Sequence, residues 1–168
     1  IPGTAGLNTS SVTITSGPTN GGVVVGPGGI PTYTPNTGFH GTDTFNYRVC
    51  DINFPALCDI ATVTITITPG APPTAVPDTV NVTQNSVNNP ICVLNNDVPG
   101  IQPINPGSVT LLTPPTQGTF SVNASGCIIY TPNPGYSGPD NLVYQVCDTS
   151  TPPLCSNTTV TINVVVTG

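Results

Sequence analysis

The chain has 168 residues with 7 acids and 1 cation, 21 Pro, 18 Gly and 6 Cys, and it contains no Lys, Glu, Met or Trp. A single cation, Arg48, cannot displace the counterions of a nucleic acid. No apolar run approaches the ~20 residues of a membrane-spanning helix, and helix-forming residues are too sparse for a bundle. With 36% hydrophobic and only 5% charged residues, and a net charge of −6, the composition is that of a Thr-rich, turn-rich β protein.

In chain order, short strands are expected at Ser11 to Thr15, Val23 to Val25 and Phe45 to Val49. Residues 61–68 read Ala-Thr-Val-Thr-Ile-Thr-Ile-Thr. That alternation puts Val63, Ile65 and Ile67 on one face and Thr on the other, which predicts a half-buried strand. Pro69-Gly70-Ala71-Pro72-Pro73 reads as a proline-stiffened linker. Further strands are expected at Thr79 to Thr83 and around Pro90 to Leu94. The 61–68 pattern then returns with Val160, Ile162, Val164 and Val166. Turn signals every ~8–12 residues give the rhythm of a β-sandwich.

The chain repeats itself. A shift of 97 residues aligns it with itself without a gap, giving 29 identities over 71 positions. Tyr33-Thr34-Pro35-Asn36 falls on Tyr130-Thr131-Pro132-Asn133, and Val49-Cys50-Asp51 falls on Val146-Cys147-Asp148. Two domains are therefore expected, at 1–68 and 74–168, joined by 69–73. The first copy is short of the 26 residues that correspond to Pro72 to Asp97. The chain opens at Ile1 without the charged and apolar regions of a signal peptide, and so reads as a processed chain or a piece of a longer one.

Six cysteines in a Lys-free acidic chain point to an oxidising compartment. Cys50 and Cys58 flank a short turn and recur as Cys147 and Cys155, so each pair is expected to staple a hairpin. Cys92 and Cys127 are expected to form a third bond. Cys127 aligns with Ile30, and the counterpart of Cys92 lies in the absent stretch. A metal site is the rival reading, and it fails for want of a Cys-x-x-Cys and of more than one His.

Little here suggests catalysis. His40 is the sole His, and its counterpart is Ser137. The acids Asp43, Asp51, Asp59, Asp78, Asp97, Asp140 and Asp148 mostly stand beside turn residues, where Asp hydrogen-bonds local backbone. No metal and no cofactor is expected. Calcium has only Asn95-Asn96-Asp97 and Asp148 as ligands, with no Asp-x-Asp-x-Asp run. Sequons at Asn8, Asn81, Asn123 and Asn157 are candidate glycan acceptors. Phe54 has Thr151 as its counterpart and is the candidate ligand contact, because an unrepeated aromatic in a loop is not required by the fold.

Val93-Leu94-Asn95-Asn96-Asp97, Pro115-Thr116-Gln117-Gly118-Thr119, Tyr130-Thr131-Pro132-Asn133, Tyr144-Gln145-Val146-Cys147-Asp148 and Thr159-Val160-Thr161-Ile162 together resemble the bacterial Ig-like or cadherin-like tandem repeat of large Bacteroidetes-type surface proteins. The resemblance implies an all-β fold of two tandem Ig-like (Greek-key) β-sandwich domains, the first without its N-terminal strands. It implies an extracellular stalk or fibre on a bacterial cell surface. Asp78-Thr79-Val80 is similar to that phylum's O-glycosylation motif, which adds Thr79 as a candidate.

The expected function is a non-enzymatic structural subunit or module. Its partners would be copies of itself in a filament or tandem repeats of a longer chain, with no nucleic acid and no membrane span. A segment from a neighbour could complete the first domain by donor-strand complementation. Donor candidates are Val160 to Val166, extended past the second domain, and residues 1–7. The alternative is an adhesive module that binds a glycan or surface ligand.

Overall fold

The structure is a computed structural model that describes residues 6–166. The chain divides into two compact units, Ile1–Pro69 and Gly70–Gly168, here domains 1 and 2. Among the described residues there is no α-helix, and so no helix long and apolar enough to cross a membrane.

Domain 1 holds β1 (Leu7–Ser16), β2 (Gly21–Val25), β3 (Pro31–Pro35), β4 (Gly41–Asp51) and β5 (Cys58–Ile67). They form a sheet in the order β1-β4-β5 and a two-stranded sheet β2-β3. Domain 2 holds β6 (Asp78–Thr83), β7 (Asn89–Ile91), β8 (Ile104–Thr113), β9 (Gly118–Val122), β10 (Ile128–Pro132), β11 (Gly138–Asp148) and β12 (Cys155–Val165). Its sheets run β6-β12-β11-β8 and β7-β10-β9. The 97-residue shift carries β1 to β5 onto β8 to β12 one by one, with Cys50↔Cys58 and Cys147↔Cys155 in the same register.

β6 and β7 have no counterpart among the described residues of domain 1. In domain 2, β6 runs parallel to β12, with Val160 opposite Asp78 and Val164 opposite Val82. β7 runs antiparallel to β10, with Ile128 opposite Ile91. These two strands bring Val82 and Ile91 into the core, and Val93 follows them there. Under that cover Tyr130, Leu142, Tyr144, Val160 and Ile162 are each 0% exposed. The domain 1 counterparts Tyr33, Tyr47, Val63 and Ile65 are only half-buried, and Phe45 is the large apolar side chain that domain 1 does bury.

The strands expected from alternation are present and longer than the motifs that announced them. The stretch expected as a strand over Pro90 to Leu94 is divided: β7 ends at Ile91 and a 3-10 turn occupies Val93–Asn95. The expected linker 69–73 is not a free spacer throughout. The Ala71 carbonyl accepts the Ile101 N–H at 3.1 Å, and Thr74 and Val98 exchange backbone bonds of 2.8 and 3.0 Å. Pro73 is fully buried. Residue 100 has to be Gly for this packing, since a Cβ there would lie 2.0 Å from the Ala71 oxygen.

Candidate functional site

The carboxylates are built into the scaffold in pairs. On β4, Asp43 accepts the Thr19 N–H at 3.0 Å, the Asn20 N–H at 2.8 Å and the Tyr33 hydroxyl at 2.9 Å. On β11, Asp140 repeats the pattern with Thr116 at 3.1 Å, Gln117 at 2.9 Å and Tyr130 at 2.9 Å. Each Asp thus ties a strand to the loop before β2 or β9 and to the tyrosine of the facing sheet. Glycine at 21 and 118 leaves room for the tyrosine ring, because a Cβ at either place would come within 2.6 Å of it. Burial pushes the Asp43 carboxyl up. The donors Thr19, Asn20, Tyr33 and Thr44 outweigh that and hold it below the usual carboxylate range. Burial first, and then Asp43 and Asp140, raise the hydroxyls of Tyr33 and Tyr130 above the usual phenol range.

A second pair organises the hairpin between β4 and β5 and its copy between β11 and β12. Asp51 accepts the N–H groups of Asn53 at 3.1 Å and Leu57 at 3.0 Å, and Asn53 Nδ2 at 2.6 Å. Asp148 does the same for the N–H groups of Ser150 at 2.9 Å and Leu154 at 3.0 Å. The Leu57 bond contributes most to an Asp51 carboxyl held below its ordinary range, against the upward push of burial. Disulfides close both hairpins, Cys50–Cys58 and Cys147–Cys155, and Cys92–Cys127 joins the turn after β7 to the start of β10.

These hairpins differ at the tip. In domain 1 Phe54 is fully exposed (102%), beside Ile52 (66%) and Leu57 (71%), and Leu7 on β1 is 66% exposed. Leu7 lies opposite Asp51 in the strand register, so these four side chains gather at one pole. In domain 2 the corresponding tip is Thr149, Ser150 and Thr151, and Leu154 is half-buried.

A third cluster belongs to domain 2. The Tyr144 hydroxyl donates to Asp97 at 2.8 and 2.9 Å, and the Val76 N–H reaches Asp97 Oδ1 at 2.7 Å. Asp78 stands nearby at the start of β6, and its Oδ2 is buried with no hydrogen-bond partner. Burial, and then the charge of Asp97, push the Asp78 carboxyl up to about 6, with Asn96 pulling the other way.

The calcium candidates Asp97 and Asp148 both spend their oxygens on protein donors. Among the described residues no group of three or more His, Cys, Asp or Glu gathers to hold a metal. Asp59 caps the N–H of Ile60 at 2.8 Å. His40 sits half-buried just before β4.

All five glycan candidates, Asn8, Thr79, Asn81, Asn123 and Asn157, are exposed. Two of the asparagines also have a local duty. Asn8 Oδ1 accepts the Ser10 N–H at 3.1 Å, as Asn105 does for Gly107 at 3.1 Å. Asn123 Oδ1 accepts the N–H groups of Ser125 and Cys127, both at 3.0 Å.

Sequence reasoning also missed a cleft. At the pole of domain 2 away from its hairpin tip, a cleft of about 300 Å³ is lined by Val87, Thr119, Thr131, Pro132 and Pro134 among others. It forms where the β6–β7 turn meets the ends of β9 and β10. Only the pairing of β7 with β10 could have announced it, and that pairing has no local signature.

The family model described as the bacterial Ig domain matches residues 4–66 and 70–165. A search of curated proteins finds no match. Among solved structures, the chain is similar to protocadherin gamma B2 extracellular cadherin domains 3–6 at 14% identity and a TM-score of 0.41, over 92% of this chain and 41% of that one. It is similar to a mouse clustered protocadherin, EC1-3, at 12% identity and a TM-score of 0.40, over 95% and 56%. An endo-fucoidan hydrolase of glycoside hydrolase family 107 matches at 16% identity and a TM-score of 0.37, over 94% and 24%. The chain spans between about a quarter and somewhat over half of the length of these proteins.

Proposed function

The chain belongs to the bacterial Ig domain family, and from that premise we propose that it is a non-enzymatic structural module of an extracellular bacterial fibre or surface stalk, repeating head to tail. The chemistry of the chain supports this reading. Its best-held carboxylates bind backbone N–H groups and tyrosine hydroxyls of the scaffold. Its strands turn Thr outward, which keeps a nearly uncharged surface wet. Three disulfides suit an oxidising, extracellular setting. The exposed Asn8, Asn81, Asn123, Asn157 and Thr79 are proposed as glycan acceptors.

One observation carries the assembly reading. In domain 2 the outer edges of β12 and β10 are covered by β6 and β7. In domain 1 the equivalent edges of β5 and β3 face no strand among the described residues. An open edge beside a half-buried apolar face accepts an added strand. The segment that completes domain 1 would carry the β6–β7 pattern, with apolar residues at alternate positions. It would not be β12 of a neighbour, since Val160 to Val165 is already paired with β6 and β11; the other donor candidate, residues 1–7, lies outside the described residues except for Gly6 and Leu7.

Electron microscopy of the unreduced chain, with its solution mass and amide exchange, tests the reading. Filaments in which the β5 edge amides exchange slowly are expected. A folded monomer with those amides already protected would overturn strand addition between copies.

The second reading is an adhesive module, and the full exposure of Phe54 on a disulfide-closed hairpin favours it. Under that reading Phe54→Ala abolishes adhesion of coated beads to its surface ligand while the fold is kept.

A further inference from the structure

We infer that the apolar tip of the β4–β5 hairpin in domain 1 is a docking knuckle, and that its partner is the cleft at the far pole of domain 2 in a second copy of this chain. The inference rests on the head-to-tail reading above and names the contact that would make it.

The knuckle is specific to domain 1. Three positions that are Thr149, Thr151 and Asn157 in domain 2 are Ile52, Phe54 and Ile60 in domain 1, exposed by 66%, 102% and 56%. Ile52 and Phe54 form an apolar patch at the tip with Leu57, and Leu7 stands beside it opposite Asp51, whereas Ile60, opposite Arg48, lies on the other face of the sheet from Leu7. A patch of this kind marks a protein contact. The tip is held in shape by the Cys50–Cys58 bond and by the Asp51 carboxylate, which grips Asn53 and Leu57. A rigid tip loses little freedom on docking.

The cleft is specific to domain 2, since its wall includes the β6–β7 turn. Val87 is 69% exposed there, beside Pro132 and Pro134. Its volume of about 300 Å³ is enough for one aromatic side chain, and its lining carries no charged group. The strand registers put knuckle and cleft at opposite poles of the repeat. The hairpin tip lies at the Cys50↔Cys58 end of the β4–β5 ladder. The cleft lies where β12 ends, beside the Val165↔Thr83 pair. Any head-to-tail array brings one kind of pole against the other. A knuckle and a cleft on different domains, paired head to tail, make a heterologous contact that propagates.

The test uses the 168-residue chain and two exposed-site variants, Phe54→Asp and Val87→Asp. Each places a charge in an apolar contact and spares the interior. Wild type is expected to give a ladder of oligomers by sedimentation velocity. Each variant alone is expected to be monomeric, with self-association weakened by about tenfold or more. An equal mixture is expected to stop at dimers. In it the intact knuckle of Val87→Asp fills the intact cleft of Phe54→Asp, and both ends are then blocked.

Intact disulfides and an unchanged far-ultraviolet spectrum show that the variants are folded. Assembly of Phe54→Asp equal to wild type overturns the knuckle while leaving head-to-tail assembly standing. A mixture that stays monomeric overturns the pairing of knuckle with cleft. Wild type that stays monomeric at its highest soluble concentration overturns this contact and the head-to-tail reading together.

Discussion

Ile65 and Ile162 occupy the same place in the repeat, on strands of the same alternation and opposite the same kind of partner strand. Ile162 is 0% exposed, whereas Ile65 is half-buried. The same holds for Tyr33 against Tyr130 and for Tyr47 against Tyr144. The side chains compared are identical in the two copies, so their own chemistry is not the cause. The difference comes from β6 and β7, which close domain 2 over its core. Burial in a sandwich is thus a property of both sheets together, and a strand with a sound pattern stays half-wet until its facing layer is complete.

The comparison breaks most sharply at the third disulfide, which domain 2 alone possesses. It closes a loop of 35 residues, against 8 for each hairpin bond. The chain-entropy relation then assigns about 4 kcal/mol to Cys92–Cys127 and about 2.5 kcal/mol to a hairpin bond. Cys92→Ala with Cys127→Ala is expected to lower the domain 2 transition in urea by about 4 kcal/mol while leaving that of domain 1 in place. A loss no larger than that of a hairpin bond would mean that β6 and β7 hold their positions without the staple.

A core truncation sharpens the same contrast. Ile162→Ala is expected to cost domain 2 about 3 kcal/mol, and Ile65→Ala to cost domain 1 about 1 kcal/mol, since the second side chain is already partly in water. Urea denaturation of the two single variants reads both. If a segment of the β6–β7 kind is bound to domain 1, the cost of Ile65→Ala should rise toward that of Ile162→Ala. Equal costs in the unassembled chain would mean that domain 1 is already closed.

Much of this architecture is legible in the sequence, for definite reasons. The alternation at 61–68 announces β5, and its repeat announces β12, because period-2 patterning is a local signal. The cysteine spacing announces the hairpin staples for the same reason. β3 and β10 are harder to see, since Pro occupies an end of each and their partners are set by register. β7 is only three residues long, and β6 pairs in parallel with a strand more than eighty residues later, which no local pattern encodes. Asp43 and Asp140 read as turn residues bonding their own backbone. Each does cap the next N–H, of Thr44 and of Asn141. Their larger role, tying a loop more than twenty residues earlier to a tyrosine of the facing sheet, appears only in three dimensions. The unrepeated Phe54 was visible because the repeat supplied its own control, Thr151.

The smallest expected effect separates the domains by pH. Asp78 has no counterpart among the described residues of domain 1, and its carboxyl sits at about 6 in the folded chain. The unfolded chain releases that proton near 3.8, so between about pH 4 and pH 6 the folded state binds more protons than the unfolded one. The protonated group therefore favours folding at low pH, and that contribution is lost as pH rises through 6. At neutral pH the ionised Asp78 opposes domain 2, with Asp97 close by. The rise from 3.8 to about 6 corresponds to about 3 kcal/mol at most, and solvent screening of a partly exposed carboxyl reduces it to about 1 kcal/mol. Asp78→Asn should thus stabilise domain 2 by about 1 kcal/mol at neutral pH and by nothing below about pH 4. Domain 1 should behave in the opposite sense. Asp43 and Asp51 are held below the ordinary range, so their contribution is full above 3.8 and is lost as pH falls further. Thermal melts of wild type and Asp78→Asn across this range read both effects. A domain 2 transition in wild type that does not weaken between about pH 4 and pH 6 would mean that Asp78 keeps an ordinary carboxyl in the folded chain.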